Sequence, residues 1–365
     1  MLSLDRNILL ALRAVKGIGS RTLHRIVVQL TEKQISLKTF WESKEAAWKD
    51  CVLNQAQIAS LKKFQKSYSP QSYAELLESK GIQVVFHFDI SYPVLLAQTP
   101  GAPFVLFVRG STEFWNHLPI AVVGARRVTS YGEYVTKTLT TELVHSGSTI
   151  ISGFMYGVDM LAHQTALRLN GKSVGVLGFG FNYMYPSSLR QVAAEFLAAG
   201  NTLITELAPE VPPSKGNFPA RNRIVAGLSQ ATIVTEAAAD SGSLLTANWA
   251  KKYQRLVCAV PGPITNIYSE GTKKLLNEGA KIISSGTEVM KYLGRPTTQG
   301  SFLPREPQTN NSLEEKILCE LRNGQTSLDG LGKQLQRPIT ELGRALTYME
   351  LRQVIKRKGA QWYPN

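Results

Sequence analysis

What the chain lacks narrows it first. It has only three cysteines, Cys51, Cys258 and Cys319, which stand far apart and form no Cys-x-x-Cys pair. That leaves no ligand set for a structural zinc and no disulfide framework, and it suits a reducing cytosol. Histidine is as sparse, with five scattered copies. No run of eighteen apolar residues occurs, so no membrane span is expected. The opening stretch MLSLDRNILLALRAVKGIG is broken by Arg13 and Lys16 and has no basic leader, so it reads as a short helix and not a signal peptide. Acidic residues are short too: 27 Asp and Glu face 41 Lys and Arg, a net charge of +14. Such an excess favours polyanions, because phosphate backbones reward Lys and Arg by counterion release. The plainer alternative is a soluble protein that is merely basic.

Several catalytic and nucleotide signatures are missing as well. The strand Ile120–Val123 runs into Gly124-Ala125-Arg126-Arg127 at the phosphate-binding position of a Rossmann-type unit, yet GxGxxG is absent. The next strand ends in Ser152-Gly153 without the acidic residue that would hold a ribose, so a dinucleotide is not expected. Asn170-Gly171-Lys172-Ser173 resembles the end of a P-loop, but Ala166 stands where the first glycine belongs and the segment precedes a strand. GxSxG does not occur, and Ser241 has no nearby histidine in sequence. No nucleophile, oriented base and oxyanion site assemble, so neither catalysis nor a cofactor or metal is expected.

What is present divides by texture. Residues 1–66 place leucines and isoleucines at helical spacing and predict a helical domain. From 67 to 294, short β-branched runs alternate with helical stretches: Val84–Phe86, Ile120–Val123, Thr149–Ile151, Val174–Leu177, Thr202–Thr205, Thr232–Thr235, Leu256–Val260 and Lys281–Ile283. That alternation predicts an α/β domain with a doubly wound, largely parallel sheet, whose ligands bind at the carboxyl ends of the strands. Residues 295–311 hold three prolines and read as a linker. Ser312, with Glu315 at the capping-box position, opens three helices and a basic hairpin around Lys358-Gly359, the pattern of a winged helix over 312–365.

Candidate binding residues cluster at the predicted strand ends. Arg126 is placed to pair with a phosphate oxygen, whereas Arg127 reads as a surface arginine paired with a carboxylate. Lys215, Phe218, Arg221 and Asn222 lead into a helix, with Arg221 in its first turn, where its charge reaches the strand ends. Phe218 is either a base-stacking platform or a hydrophobic staple. Ser241, Gly242 and Ser243 offer amides and hydroxyls at a helix start, and Gly153 lines the same region. Asp159 and His163, four apart, read as a helix-start cap and a packed hydrogen-bonding residue. Near the amino terminus, the Gly17-Ile18-Gly19 turn with Lys16 and Arg21 is either a helix-hairpin-helix contact to DNA phosphates or a plain turn between two helices.

Taken in order, SYP at 91–93, VVGARRVTSYG at 122–132, SGFMYGVDMLAH at 152–163, FPARNRIVAGLS at 218–229, EAAADSGSLLTA at 236–247, AVPGP at 259–263 and EGTKKLLNEGA at 270–280 resemble the DprA/Smf family of DNA-processing proteins. The resemblance covers essentially the whole chain, and the FPxRNR and SGSLxTA pair is its most specific part. It implies a SAM-like helical domain, an extended Rossmann domain and, in many members, a winged-helix tail. It further implies a cytoplasmic single-stranded-DNA binder that dimerises through the Rossmann domain, protects incoming DNA and loads RecA in natural transformation, with a single-strand-binding protein as a further partner. Phosphate contacts would fall to Arg126, Lys215 and Arg221, base contact to Phe218, and the pocket lining to Asn222, Gly153 and Ser241–Ser243. Met155-Tyr156 and GFGFNYMYP at 178–186 depart from the family pattern beside that pocket.

Two other readings compete. A phosphoribohydrolase of the cytokinin-activating type would place an anion at the same strand ends. Glu236 is present for it, but the glycine run of PGGxGTxxE is not. A transcription regulator would act through the tail alone, whose expected recognition helix Thr340–Leu351 offers only Arg344 as a base reader.

Overall fold

The structure, a computed structural model, describes residues 3–51, 53–295, 312–322, 324, 327–351 and 354–364. The chain separates into two compact units, residues 1–298 and 299–365.

The first unit opens with six helices, α1 (Ser3–Ala14), α2 (Ser20–Glu32), α3 (Leu37–Glu42), α4 (Glu45–Asp50), α5 (Gln55–Ser67) and α6 (Pro70–Ser79). Their starts follow local chemistry. Asn54 and Ser69 each close a capping box, with Gln57 and Ser72, and Pro70 takes the first position of α6. Helix therefore continues to Ser79, past the expected boundary at 66, and α6 packs on α1.

The remainder of the unit alternates strand and helix. It runs β1 (Gln83–Phe86), α7 (Val94–Ala97), β2 (Val105–Arg109), β3 (Pro119–Val123), α8 (Ser130–His145), β4 (Thr149–Ser152), α9 (Val158–Arg168) and β5 (Ser173–Val176). It continues with α10 (Arg190–Ala198), β6 (Thr202–Thr205), α11 (Asn217–Leu228), β7 (Ala231–Val234), α12 (Gly242–Lys252), β8 (Leu256–Ala259), α13 (Glu270–Asn277), β9 (Lys281–Ile282) and α14 (Gly286–Tyr292). The strands form one sheet in the order β1-β2-β6-β5-β4-β3-β7-β8-β9. Strands β3 to β9 pair in parallel, as the alternation predicts, while β2 is antiparallel to both β1 and β6.

Strand β2 is the one the sequence reading missed. Its run VLFVR shows no alternation because both faces are buried. Val105 and Phe107 join the core under the amino-terminal helices, and Leu106 and Val108 join the core on the opposite face. The helical region and the sheet thus share one hydrophobic core, with Ile8, Leu12 and Leu23 packed in the same cluster as Phe86 and Leu203. Each such fully buried side chain contributes about 1.5–3 kcal/mol.

Period-two alternation also sorts β3. Ile120 and Val122 face the cluster containing residues of α8 and α9, and Ala121 and Val123 face the one containing residues of α11 and α12. The chain leaves β3 for β4 on one side and returns from β6 to β7 on the other. The carboxyl ends of β3 and β7 therefore flank the topological switch point, where ligands of doubly wound sheets bind.

The second unit holds α15 (Ser312–Arg322), α16 (Leu328–Leu335), α17 (Ile339–Leu351) and an antiparallel hairpin of β10 (Ile355–Lys358) and β11 (Gln361–Pro364). Its own core contains Ile317, Leu331, Leu346, Ile355 and Trp362. Beyond Arg295, the expected linker lies outside the described residues, as does the capping role expected of the Ser312 side chain.

Candidate functional site

At the switch point the loops leaving β3, β4, β5 and β7, together with the start of α11, enclose a cavity of about 620 Å³. Arg126, Lys215, Phe218, Arg221, Asn222, Gly153, Ser241, Gly242 and Ser243 all line it. The structure brings together every residue selected around the strand ends, although Arg126 and Arg221 are nearly a hundred positions apart.

The loops are held by close backbone contact. Gly157, at φ +86°, begins α9 where a Cβ would lie within 2.6 Å of the Arg126 Cα. The Val158 amide donates to the Ala125 carbonyl at 3.2 Å, which fastens the turn after β4 to the turn after β3. Arg126 and Arg127 are both exposed at this edge. Arg127 corrects the sequence reading: it lines the cavity, and no ion pair joins it to a carboxylate among the described residues. The expected surface pair would have consumed its charge, and here that charge faces the cavity.

Arg221 is different. Only 5% exposed, it donates from Nη1 to the Val176 carbonyl at the end of β5. A Cβ at Gly153 would overlap both its guanidinium and the Asp159 carboxylate, so glycine is required for the two charges to close in on that backbone. Burial, partly offset by Asp159 and reinforced by Arg126, brings the Arg221 pKa down to about 10, which leaves it charged at neutral pH. Burial also raises the Asp159 pKa, against Arg221, the Ser152 hydroxyl and the Gly153 amide, which favour its charged form. The expected cap role of Asp159 is corrected here, because Gly157 occupies the cap position of α9. His163 is packed between Phe154 and Phe196, with Nδ1 bonded to Ser173 Oγ at 2.8 Å.

Ser241 caps α12, Ser243 Oγ lies 2.8 Å from Ser241 Oγ, and Asn222 Nδ2 donates to the Gly242 carbonyl at 3.1 Å. This ties the start of α11's exposed face to the start of α12. Phe218 packs against the core and also lines the cavity. It is half-buried against the core, and its ring lies 5.6 Å from Tyr185 at the cavity. Arg223 points away, paired with Glu206 at 2.5 Å.

Glu236 is accounted for by structure. Only 2% exposed and outside the cavity lining, it accepts from the Thr129 hydroxyl at 2.5 Å and the Thr129 amide at 3.1 Å. The amino terminus of α8, where a Rossmann enzyme would seat a phosphate, is thereby already filled by a carboxylate of the chain itself.

The sequence reading passed over three aromatic residues of the lining, Tyr156, Tyr185 and Tyr268. The first two fall inside the segments noted only as departures from a pattern, and their aromatic content was the available signal. Lys16, on the turn between α1 and α2, and Arg21, in the first turn of α2, are exposed and do not line the cavity. In that turn Gly17 has φ +89°, and its carbonyl accepts from Gln57 Nε2 at 2.8 Å. Among the described residues, no cluster of three His, Cys, Asp or Glu side chains could hold a metal.

Residues 83–294, the sheet and its loops, match the family described as DNA recombination-mediator protein A. The chain belongs to that family. Protein Smf of Escherichia coli is 36% identical over 266 residues, 71% of each chain. The crystal structure of DNA processing protein A from Streptococcus pneumoniae superposes with a TM-score of 0.65 at 28% identity, covering 78% of this chain and 97% of that one. The Helicobacter pylori member, whose structure was described for its single-stranded DNA binding mode, gives a TM-score of 0.52 at 30% identity over 58% of this chain and 95% of its own. The family match takes in every cavity residue selected from the sequence.

Proposed function

We propose that the cavity binds single-stranded DNA without cleaving it. One observation carries this reading: four cationic side chains, Arg126, Arg127, Lys215 and Arg221, face one carboxylate, Asp159, in a cavity that also exposes aromatic rings. The binding mode described for the Helicobacter pylori relative supports it. Exposed Arg126, Arg127 and Lys215 neutralise successive phosphates, while the serine hydroxyls and amides at the start of α12 take a phosphate oxygen.

The finer parts of the proposal are protection of incoming strands and RecA loading in transformation or recombination, and they rest on family membership. A homodimer through the sheet domain would lay one strand across two cavities and raise affinity through effective concentration. Ile282, exposed on the edge strand β9, and the exposed Ile264 and Ile267 after β8 favour such pairing. The three helices and hairpin of the second unit support a winged helix, and a helix-hairpin-helix contact through Lys16 and Arg21 belongs to the same reading. The engagement of Glu236 at α8 supports a binder over a phosphoribohydrolase.

The test is fluorescence anisotropy with labelled single and double strands across a salt series. Single-strand preference is expected, and Arg126→Ala should flatten the salt slope by roughly 0.7–1 unit. Equal affinity for duplex, or an unchanged slope in Arg126→Ala, refutes the assignment.

A further inference from the structure

The exposed arginine Arg126 and the rings of Tyr156 and Tyr185 divide between two sides of the cavity in the order of the strands, with the buried Arg221 at the end of β5 and Tyr268 after β8 standing outside that division. Along the sheet edge the neighbours are β5, β4, β3 and β7, set about 4.8 Å apart. The loops after β5 and β4 bring Tyr185 and Tyr156 to the lining. The loop after β3 brings Arg126, and that after β7 brings the hydroxyl-rich start of α12. Phe218 extends the aromatic side, since its ring meets Tyr185 at 5.6 Å. Tyr156 and Tyr185 remain 45% and 47% exposed while lining the cavity. The Tyr156 hydroxyl is bonded to the Ser188 hydroxyl, which anchors the ring at its polar end and leaves its apolar body uncovered.

Large half-exposed rings anchored beside cations match a ligand with flat apolar surfaces on a charged backbone. We infer that Tyr156 and Tyr185 are base-stacking platforms, so that a bound strand lays its bases over β5 and β4 and its phosphates over β3 and β7. This rests on the single-strand reading above and adds an orientation to it. Stacking on an aromatic ring contributes about 1–3 kcal/mol per base, or roughly 5- to 150-fold in affinity for each ring. That contribution needs a base and no charge.

Two oligonucleotides of equal length separate the terms: oligothymidylate, and a base-free deoxyribose-phosphate strand with the same charge. With the full chain, Tyr156→Ala and Tyr185→Ala should each weaken oligothymidylate binding by about tenfold and leave the base-free strand within twofold. Tyr156→Phe, which keeps the ring, should hold near the wild-type level. Arg126→Ala should weaken both strands alike. Equal losses on both strands in the tyrosine variants, or no loss on oligothymidylate, overturns the assignment. Wild-type protein that prefers duplex to single strand instead removes the reading beneath it.

Photocrosslinking of the wild-type chain to a strand carrying 5-iodouracil gives an answer independent of variant folding. Adducts at Tyr156 or Tyr185 support the proposal, and adducts confined to other residues refute it.

Discussion

Replacing Arg221 by methionine tests whether this buried cation shapes the cavity as well as charging it. Methionine keeps the unbranched stem and its packing but removes the guanidinium. Two groups then lose their partner: the Val176 carbonyl, which accepts from Nη1, and the Asp159 carboxylate across Gly153. Breaking one side of a buried charge pair costs about 3–5 kcal/mol. At about 2–4 °C per kcal/mol, the melting temperature should fall by roughly 6–20 °C. The loss should depend on pH with a definite sign. Asp159 already has a raised pKa from burial, and losing Arg221 raises it further. A carboxyl whose folded pKa exceeds its unfolded value stabilises below the unfolded pKa and loses that contribution as pH climbs through the folded one. The deficit of Arg221→Met should therefore be largest at neutral pH and shrink on acidification. Pairing it with Asp159→Asn closes a double-mutant cycle, and a coupling of about 0.5–3 kcal/mol is expected between residues in such contact. Thermal melts followed by circular dichroism between pH 4.5 and 8 read all three quantities. A melting temperature within 2 °C of wild type at neutral pH, or additive single-variant effects, refutes this role of Arg221.

Three further outcomes follow from other residues. Gly157→Ala forces a side chain into φ +86° and into the Arg126 backbone, so it should lower stability by about 1–3 kcal/mol and weaken strand binding together, as melts and anisotropy would show. Glu236→Gln loses the charged cap of α8, about 1 kcal/mol by thermal melt, but should leave strand affinity within twofold because Glu236 stands outside the cavity. Turnover of an AMP-type ribonucleotide by wild type that disappears in this variant would favour the phosphoribohydrolase instead. Burial presses the His163 pKa down to about 3, so its contribution is present above pH 6.5 and is lost as pH falls towards 3. Urea melts of His163→Gln should accordingly decline less steeply over that range, and parallel curves would disprove the reading.

The sheet was legible because most of its strands follow a glycine or a helix end and carry β-branched runs with small residues after them. Strand β2 was not, since its two-sided burial erases the period that marks a strand, and no helix separates it from β3. The site was legible where glycine and charge coincide at predicted strand ends, which is how Arg126, Gly153, Arg221 and Ser241–Ser243 were selected. Arg127 was assigned a carboxylate partner because spacing alone gives no side-chain direction in a turn. Tyr156 and Tyr185 escaped for another reason: an aromatic residue in a loop is as compatible with core as with a cavity wall, and only its exposure decides. The role of Glu236 was hidden by sequence distance, since its partner Thr129 lies 107 residues away.

The four cations of the cavity differ in environment, and that difference bears on how the site attracts an anion. Arg126, Arg127 and Lys215 are exposed, and water screens them. Arg221 is buried, and its Nε has no hydrogen-bond partner among the described residues. One carbonyl and one half-buried carboxylate compensate it, and its charge therefore acts through a poorly screened medium onto the cavity. Arg126 adds repulsion, one of the two effects that depress the Arg221 pKa. A phosphate seated between them would relieve that repulsion and supply charge that Asp159 alone does not. The buried arginine thus gives the cavity a fixed positive floor, and the exposed cations carry positive charge out to its rim.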